Sequence, residues 1–196
     1  LSVKMGIKKS LLVVDMPKDS YNSPRSAEKN AKKVIKMTKC DAIKIESNKN
    51  NYKIIEFLVR KNIPVMGHIG YTPQYKKKFK IEGQTNKEIK KLLNEAKMIE
   101  KAGAFSIVLE CLSPKSSKLI TNMLKIPTIG IGSSSYCDGQ ILVTDDMLGI
   151  SGFYPKFVKK YVNLDRLIEK AVKKYTRDVK LNKFPKKKNF LNGTKH

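Results

Sequence analysis

Cysteine, histidine, acidic residues and long apolar runs are all scarce in this chain, and each scarcity excludes something. Cys40, Cys111 and Cys137 are odd in number, widely spaced and never paired as Cys-x-x-Cys. That argues against a disulfide framework or a structural zinc site, and for a reducing, cytoplasmic setting. The two histidines are His68 and His196. Neither a second His nor a Cys lies at ligand spacing from His68, so zinc is not expected. No apolar run approaches the roughly 20 residues that span a bilayer, and no secretory leader pattern opens the chain. A membrane partner is therefore not expected.

Acidic residues number 17 against 41 basic ones, for a formal charge of +24. Such a balance raises nucleic-acid binding as a possibility. The lysines, however, are spread over solvent faces along the whole sequence. Only Lys76-Lys77-Lys78 and the tail from Lys180 to Lys188 are concentrated. No specific nucleic-acid partner is expected, although the field would draw anionic small molecules. A non-catalytic basic binding module is the rival reading, and salt-sensitive retention on nucleic acid would mark it.

Against these absences stands one repeated pattern. Four short apolar runs each end in a chemically capable residue: LLVVD at Asp15, AIKIE at Glu46, PVMGH at His68 and SIVLE at Glu110. A strand buried on both faces cannot hold a carboxylate at its centre, but its carboxyl end can. Strand candidates are Leu11–Val14, Ala42–Ile45, Pro64–Gly67, Ser106–Leu109, Thr128–Ile131 and Gln140–Val143.

Helical patterns separate these runs. Ser23-Pro24 supplies a cap and a first-turn proline ahead of Ala27, Ala31 and Val34, and Tyr52, Ile55, Leu58 and Val59 mark a second stripe. Thr85 and Glu88 form a capping box, with Gly103 as the stop, and Ser113-Pro114 opens a further helix. Leu164, Leu167, Ile168, Ala171, Val172 and Tyr175 form a long closing one.

The alternation predicts an α/β fold with a parallel sheet and right-handed crossovers. Six units fit an open doubly wound sheet or part of a (β/α)8 TIM-type barrel. Functional residues on several successive strand ends, without a Gly-rich loop after the first strand, favour the barrel. A complete barrel takes about 250 residues, and this chain has 196. The reading is therefore a single partial barrel domain over 1–196, with the first two strand-helix units missing and a basic tail at 180–196.

Asp15 is a hard oxygen ligand suited to Mg²⁺, which takes one or two protein carboxylates beside substrate oxygens and water; a helix cap is the plainer alternative. Lys44 and Glu46, two apart on one strand, point to the same side. If that side is the barrel interior, the charges need partners or a ligand. His68 is either a site residue or a hydrogen-bonded structural one. Glu110, half-desolvated at a barrel mouth, would have a raised pKa and suit a general base. Cys111 as nucleophile is weaker, since no His is placed to activate it. The glycines of Ile129–Ser134 could admit an anion to backbone N–H groups.

Taken together, LLVVDMP, DAIKIE, IPVMGHIGYTPQ, EKAGAFSIVLEC, IPTIGIGSS, CDGQILV, DMLGI and PKFVKKY, in this order, resemble ketopantoate hydroxymethyltransferase from about Leu11 to Pro185. The resemblance implies a (β/α)8 barrel that assembles as a homo-oligomer, often a decamer. It implies transfer of the one-carbon unit of 5,10-methylenetetrahydrofolate to 3-methyl-2-oxobutanoate, giving 2-dehydropantoate for pantothenate synthesis. By position, Asp15 would bind Mg²⁺ and lie against the substrate, and Glu46 would sit at the metal. Lys44 would contact the substrate carboxylate, His68 would line the site, and Glu110 would accept the proton.

The sequence departs from the family pattern in several places. The opening strands and their Gly-Asp-Ser segment, a source of metal and substrate contacts, are absent. Lys18 replaces an aromatic, Ser47-Asn48 a glycine pair and Asp145 a histidine. The loop from Tyr75 to Gly83 is shorter and more basic than usual. A Mg²⁺-dependent keto-acid lyase or mutase of the same barrel class, or an inactive fragment, is the alternative.

Overall fold

The computed structural model describes residues 2–48 and 51–190. Its elements, in chain order, are α1 (Ser2–Gly6), β1 (Val13–Asp15), α2 (Pro24–Thr38), β2 (Ala42–Glu46), α3 (Asn51–Arg60) and β3 (Val65–Gly70). There follow α4 (Asn86–Lys101), β4 (Ser106–Glu110), α5 (Pro114–Met123), β5 (Thr128–Ile131), β6 (Gly139–Gln140), α6 (Thr144–Leu148) and α7 (Leu164–Lys180). A 3₁₀ turn at Lys187–Asn189 closes the described chain.

The chain resolves into two compact units, Leu1–Ile141 and Leu142–His196, a finer division than the single domain expected over 1–196. In the second unit, α7 carries its apolar residues as a stripe, and none of its residues is buried. Of the tail expected at 180–196, residues 191–196, with His196, lie outside the described residues.

Local chemistry sets the helix starts. Ser23 and Thr85 each accept a hydrogen bond from the third residue of α2 and α4, and that residue's side chain answers the cap's own N–H. Ser113 caps α5 ahead of Pro114. Helix α4 stops at Gly103, whose φ of 88° carries the backbone left-handed and out of the helix.

All six strands are parallel, and their spatial order is β1-β2-β3-β4-β5-β6. Every strand therefore pairs with the next in sequence, and the order never reverses. Crossovers of one hand then place the connecting helices on one face of the sheet, as in a barrel; a doubly wound sheet needs a reversal. The fold is an incomplete α/β barrel, with β1 and β6 as its edges among the described residues.

The core lies between that face and the helices. Ile43, Ile45, Val65, Ile69, Ile107 and Leu109 are buried there with Ala31, Ile55, Leu58, Leu92, Ala96, Ile99 and Ile120. Side chains of this size contribute about 1.5–3 kcal/mol each on burial. Gly67 belongs to the same face: a Cβ there would stand 2.5 Å from Ile99 Cγ2, so its hydrogen lets α4 approach β3.

Only β5 keeps the expected bounds; β2 and β4 each run one residue further, to Glu46 and Glu110, and the other three strands differ more. β1 runs from Val13 through Asp15, placing the carboxylate on a paired strand residue. β3 continues to Gly70, so His68 lies within it rather than at its end. β6 stops at Gln140, short of the expected Val143, and the first turn of α6 carries Asp145 and Asp146, where acidic side chains suit the helix dipole.

Candidate active site

The alternation that sends Ile43 and Ile45 to the helices sends Lys44 and Glu46 to the opposite face. Parallel pairing sets their neighbours: Asp15 lies level with Lys44, Glu46 with His68, and Gly70 with Glu110. Asp15, Lys44, His68 and Glu110 form one connected row, with Glu46 beside it.

Lys44 Nζ stands 2.9 Å from Asp15 Oδ2 and 3.3 Å from His68 Nδ1. An ammonium can only donate, so Nδ1 must offer its lone pair, and a neutral imidazole then carries its proton on Nε2. Burial, the dominant influence, lowers the His68 pKa and holds the ring neutral, although Glu110 pulls the other way. Nε2 lies 3.1 Å from Glu110 Oε2, yet alignment is poor enough that it makes no hydrogen bond. His68 is fully buried, whereas Glu110 is partly open to solvent.

Glu46 is 1% exposed. Its Oε2 accepts a hydrogen bond of 3.1 Å from the backbone N–H of Gln74, while Oε1 is buried with no hydrogen-bond partner. Burial drives the Glu46 carboxyl up to about 7; the Gln74 N–H and Lys44 oppose that rise, and the charges of Asp15 and Glu110 add to it.

A buried carboxylate with one orphan oxygen and a raised pKa is a position that a hard cation would complete. Among the described residues no group of three or more His, Cys, Asp or Glu side chains is spaced to hold a metal. Mg²⁺ takes only one or two protein carboxylates and fills its shell with substrate and water oxygens, so Glu46 with Asp15 from the neighbouring strand would suffice for it. The residues present fit that ion on chemistry.

Comparison with known proteins gives this arrangement a context. The family model for ketopantoate hydroxymethyltransferase matches residues 1–187. The chain belongs to the ketopantoate hydroxymethyltransferase family. The 3-methyl-2-oxobutanoate hydroxymethyltransferase of Pelagibacter ubique is 50% identical over 187 residues, covering 95% of this chain and 73% of the relative. Its counterpart in Anaplasma marginale is 48% identical over 180 residues, covering 90% and 65%. That of Clostridioides difficile is 47% identical over 192 residues, covering 95% and 70%.

This member of the family therefore spans 65% to 73% of the length of these three relatives. A crystal structure assigned as a phosphonomutase from Burkholderia cenocepacia superposes with a TM-score of 0.50 at 12% identity, covering 63% of this chain and 54% of that one. At that identity the likeness speaks for the barrel fold alone.

Two weaker sequence candidates find structural roles in the family member. Cys111 is buried, and burial pushes its thiol up to about 12, leaving the nucleophilic thiolate rare at neutral pH. Within Ile129–Ser134, Gly130 is closely packed: a Cβ there would stand 3.0 Å from the Cys137 and Gln140 side chains. Ser133 Oγ donates to Leu109 O at 2.6 Å and accepts from Leu112 N at 3.1 Å, joining the exits of β4 and β5.

Gln74 and Tyr21 carry no sequence signal for this role, though Gln74 closes the GHIGYTPQ string. Neither has a periodic signature, because both act from loops.

Proposed function

We propose that this protein transfers the one-carbon unit of 5,10-methylenetetrahydrofolate to 3-methyl-2-oxobutanoate with uptake of one water, giving 2-dehydropantoate and releasing tetrahydrofolate. The observation that carries the reading is the row Asp15–Lys44–His68–Glu110 beside the orphaned Glu46 oxygen, in a chain about half identical to proteins named for that reaction.

In this reading the substrate carboxylate competes with Asp15 for the Lys44 ammonium. Asp15 and Glu46 are the carboxylates that would hold Mg²⁺. When bound, Mg²⁺ supplies Lewis-acid polarisation of the keto acid. Glu110 takes the proton from carbon 3, which leaves that carbon nucleophilic toward the folate's methylene unit. His68 presents Nε2–H toward Glu110 and holds no charge of its own, so the Glu110 carboxylate keeps its capacity for the proton.

The test is product formation from keto acid, 5,10-methylenetetrahydrofolate and Mg²⁺, with deuterium uptake at carbon 3 in D₂O followed by NMR without folate. Mg²⁺-dependent product and exchange are expected. Lyase activity on other keto acids, with neither signal on this one, would overturn the assignment.

A further inference from the structure

Gln74 makes three polar contacts, and each reaches a different part of the site. Its backbone N–H donates to Glu46 Oε2 at 3.1 Å. Its side-chain Nε2 donates to the carbonyl oxygen of Met16 at 3.0 Å. Its Oε1 accepts from the Tyr21 hydroxyl at 2.9 Å. Met16 and Tyr21 are each 1% exposed, so these bonds form out of competition with water. Met16 directly follows Asp15, and its own N–H donates to Lys44 O at 3.0 Å. Both backbone polar groups of Met16 are therefore used, one by β2 and one by Gln74.

The consequence is geometric. Asp15 and Glu46 lie on different strands, and their separation matters to any ion they share. The register of β1 and β2 sets that separation along the sheet. The rotation of each carboxylate above the sheet depends on what grips it from the loops. Gln74 grips both, Glu46 through its backbone and the residue after Asp15 through its side chain, while Tyr21 holds the amide in the orientation that makes Nε2 the donor to Met16.

We infer that Gln74 is a positioning residue that sets the spacing of Asp15 and Glu46 for a divalent cation. The inference rests on the metal reading given under the proposed function. Gln74 touches neither the ion nor the substrate in this role; it acts through Met16 and Glu46.

The experiment is Mn²⁺ binding to the purified chain by electron paramagnetic resonance, with thermal unfolding recorded in parallel. Gln74→Met keeps the side-chain volume and removes both side-chain hydrogen bonds. Affinity should fall about tenfold, the scale of losing one to two such bonds. Tyr21→Phe should fall less, because the donor to Met16 survives, and the double variant should be no worse than Gln74→Met alone. Ile120→Val, buried on α5, lowers stability without touching this network and should leave Mn²⁺ affinity unchanged. If Gln74→Met does not fold, Gln74→Asn, one methylene too short, serves in its place.

Parent-like Mn²⁺ affinity in the Gln74 variant, or an equal loss in Ile120→Val, would overturn the inference and leave the metal reading standing. No Mn²⁺ binding by the parent chain would overturn both.

Discussion

Replacing Glu46 with Gln should stabilise this protein at alkaline pH while removing one of its proposed metal ligands. The carboxyl moves from an ordinary 4.5 to about 7 on folding, with burial as the main cause. Here the folded pKa of an acid is raised, so the folded state binds the proton more tightly than the unfolded chain. Stability contributed by the protonated carboxyl is then lost as pH climbs from 4.5 to about 7, and it stays lost above that.

The charged carboxyl at pH 8 thus costs on the order of 3 kcal/mol, and less than about 1 kcal/mol at pH 5. The amide keeps an oxygen to accept from the Gln74 N–H. Its own N–H groups fall where Oε1 has no partner, which returns roughly 1 kcal/mol as a penalty. The net gain for Glu46→Gln at pH 8 is about 2 kcal/mol, or roughly 4–8 °C in melting temperature for a chain of this size. Thermal unfolding of parent and variant by circular dichroism at pH 5 and pH 8 measures it. Added Mg²⁺ should raise the parent's melting temperature at pH 8 and leave the variant's unchanged, since only a ligand bound to the folded state stabilises. A variant less stable than the parent at pH 8, or a difference that does not change with pH, would refute the reasoning.

Other outcomes follow from the same geometry. Glu110→Gln should lose about 10²–10⁴-fold in turnover, with keto-acid binding by calorimetry retained; unchanged turnover would remove Glu110 as the base. Asp15→Ala should weaken Mn²⁺ binding and release Lys44 from its 2.9 Å partner; parent-like Mn²⁺ affinity by electron paramagnetic resonance would remove Asp15 as a ligand. Gly70→Ala should destabilise by about 2 kcal/mol or more. The φ there is 95°, and a Cβ would stand 2.2 Å from Glu110 O, so the β4 exit must move and turnover should fall with stability.

Much of the frame was legible along the chain. The period-two placement of Lys44 and Glu46 between Ile43 and Ile45 already required opposite faces, because adjacent strand residues cannot share one. Capping residues at Ser23, Thr85 and Ser113 marked helix starts that the structure keeps, since a cap satisfies N–H groups within three residues and needs no distant partner. Strand ends were less legible. His68 reads as a terminal residue, yet pairing with β4 carries β3 on to Gly70. The close neighbours of Gly130, Cys137 and Gln140, lie seven and ten residues onward and were not legible from spacing.

Residue order alone thus specified the strand-helix alternation, the faces of each strand and the candidate polar residues, because all of these depend on spacings of a few positions. The protonation and pairing of those residues were decided only in three dimensions. Which nitrogen of His68 holds the proton depends on Lys44 from another strand. Why Glu46 sits near 7 depends on burial and on the charges of Asp15 and Glu110. That Gln74 reaches both carboxylate-bearing strand ends depends on contacts 28 and 58 residues apart. Electrostatics and hydrogen bonding act through space, and the distances that govern them exist only once the sheet has assembled.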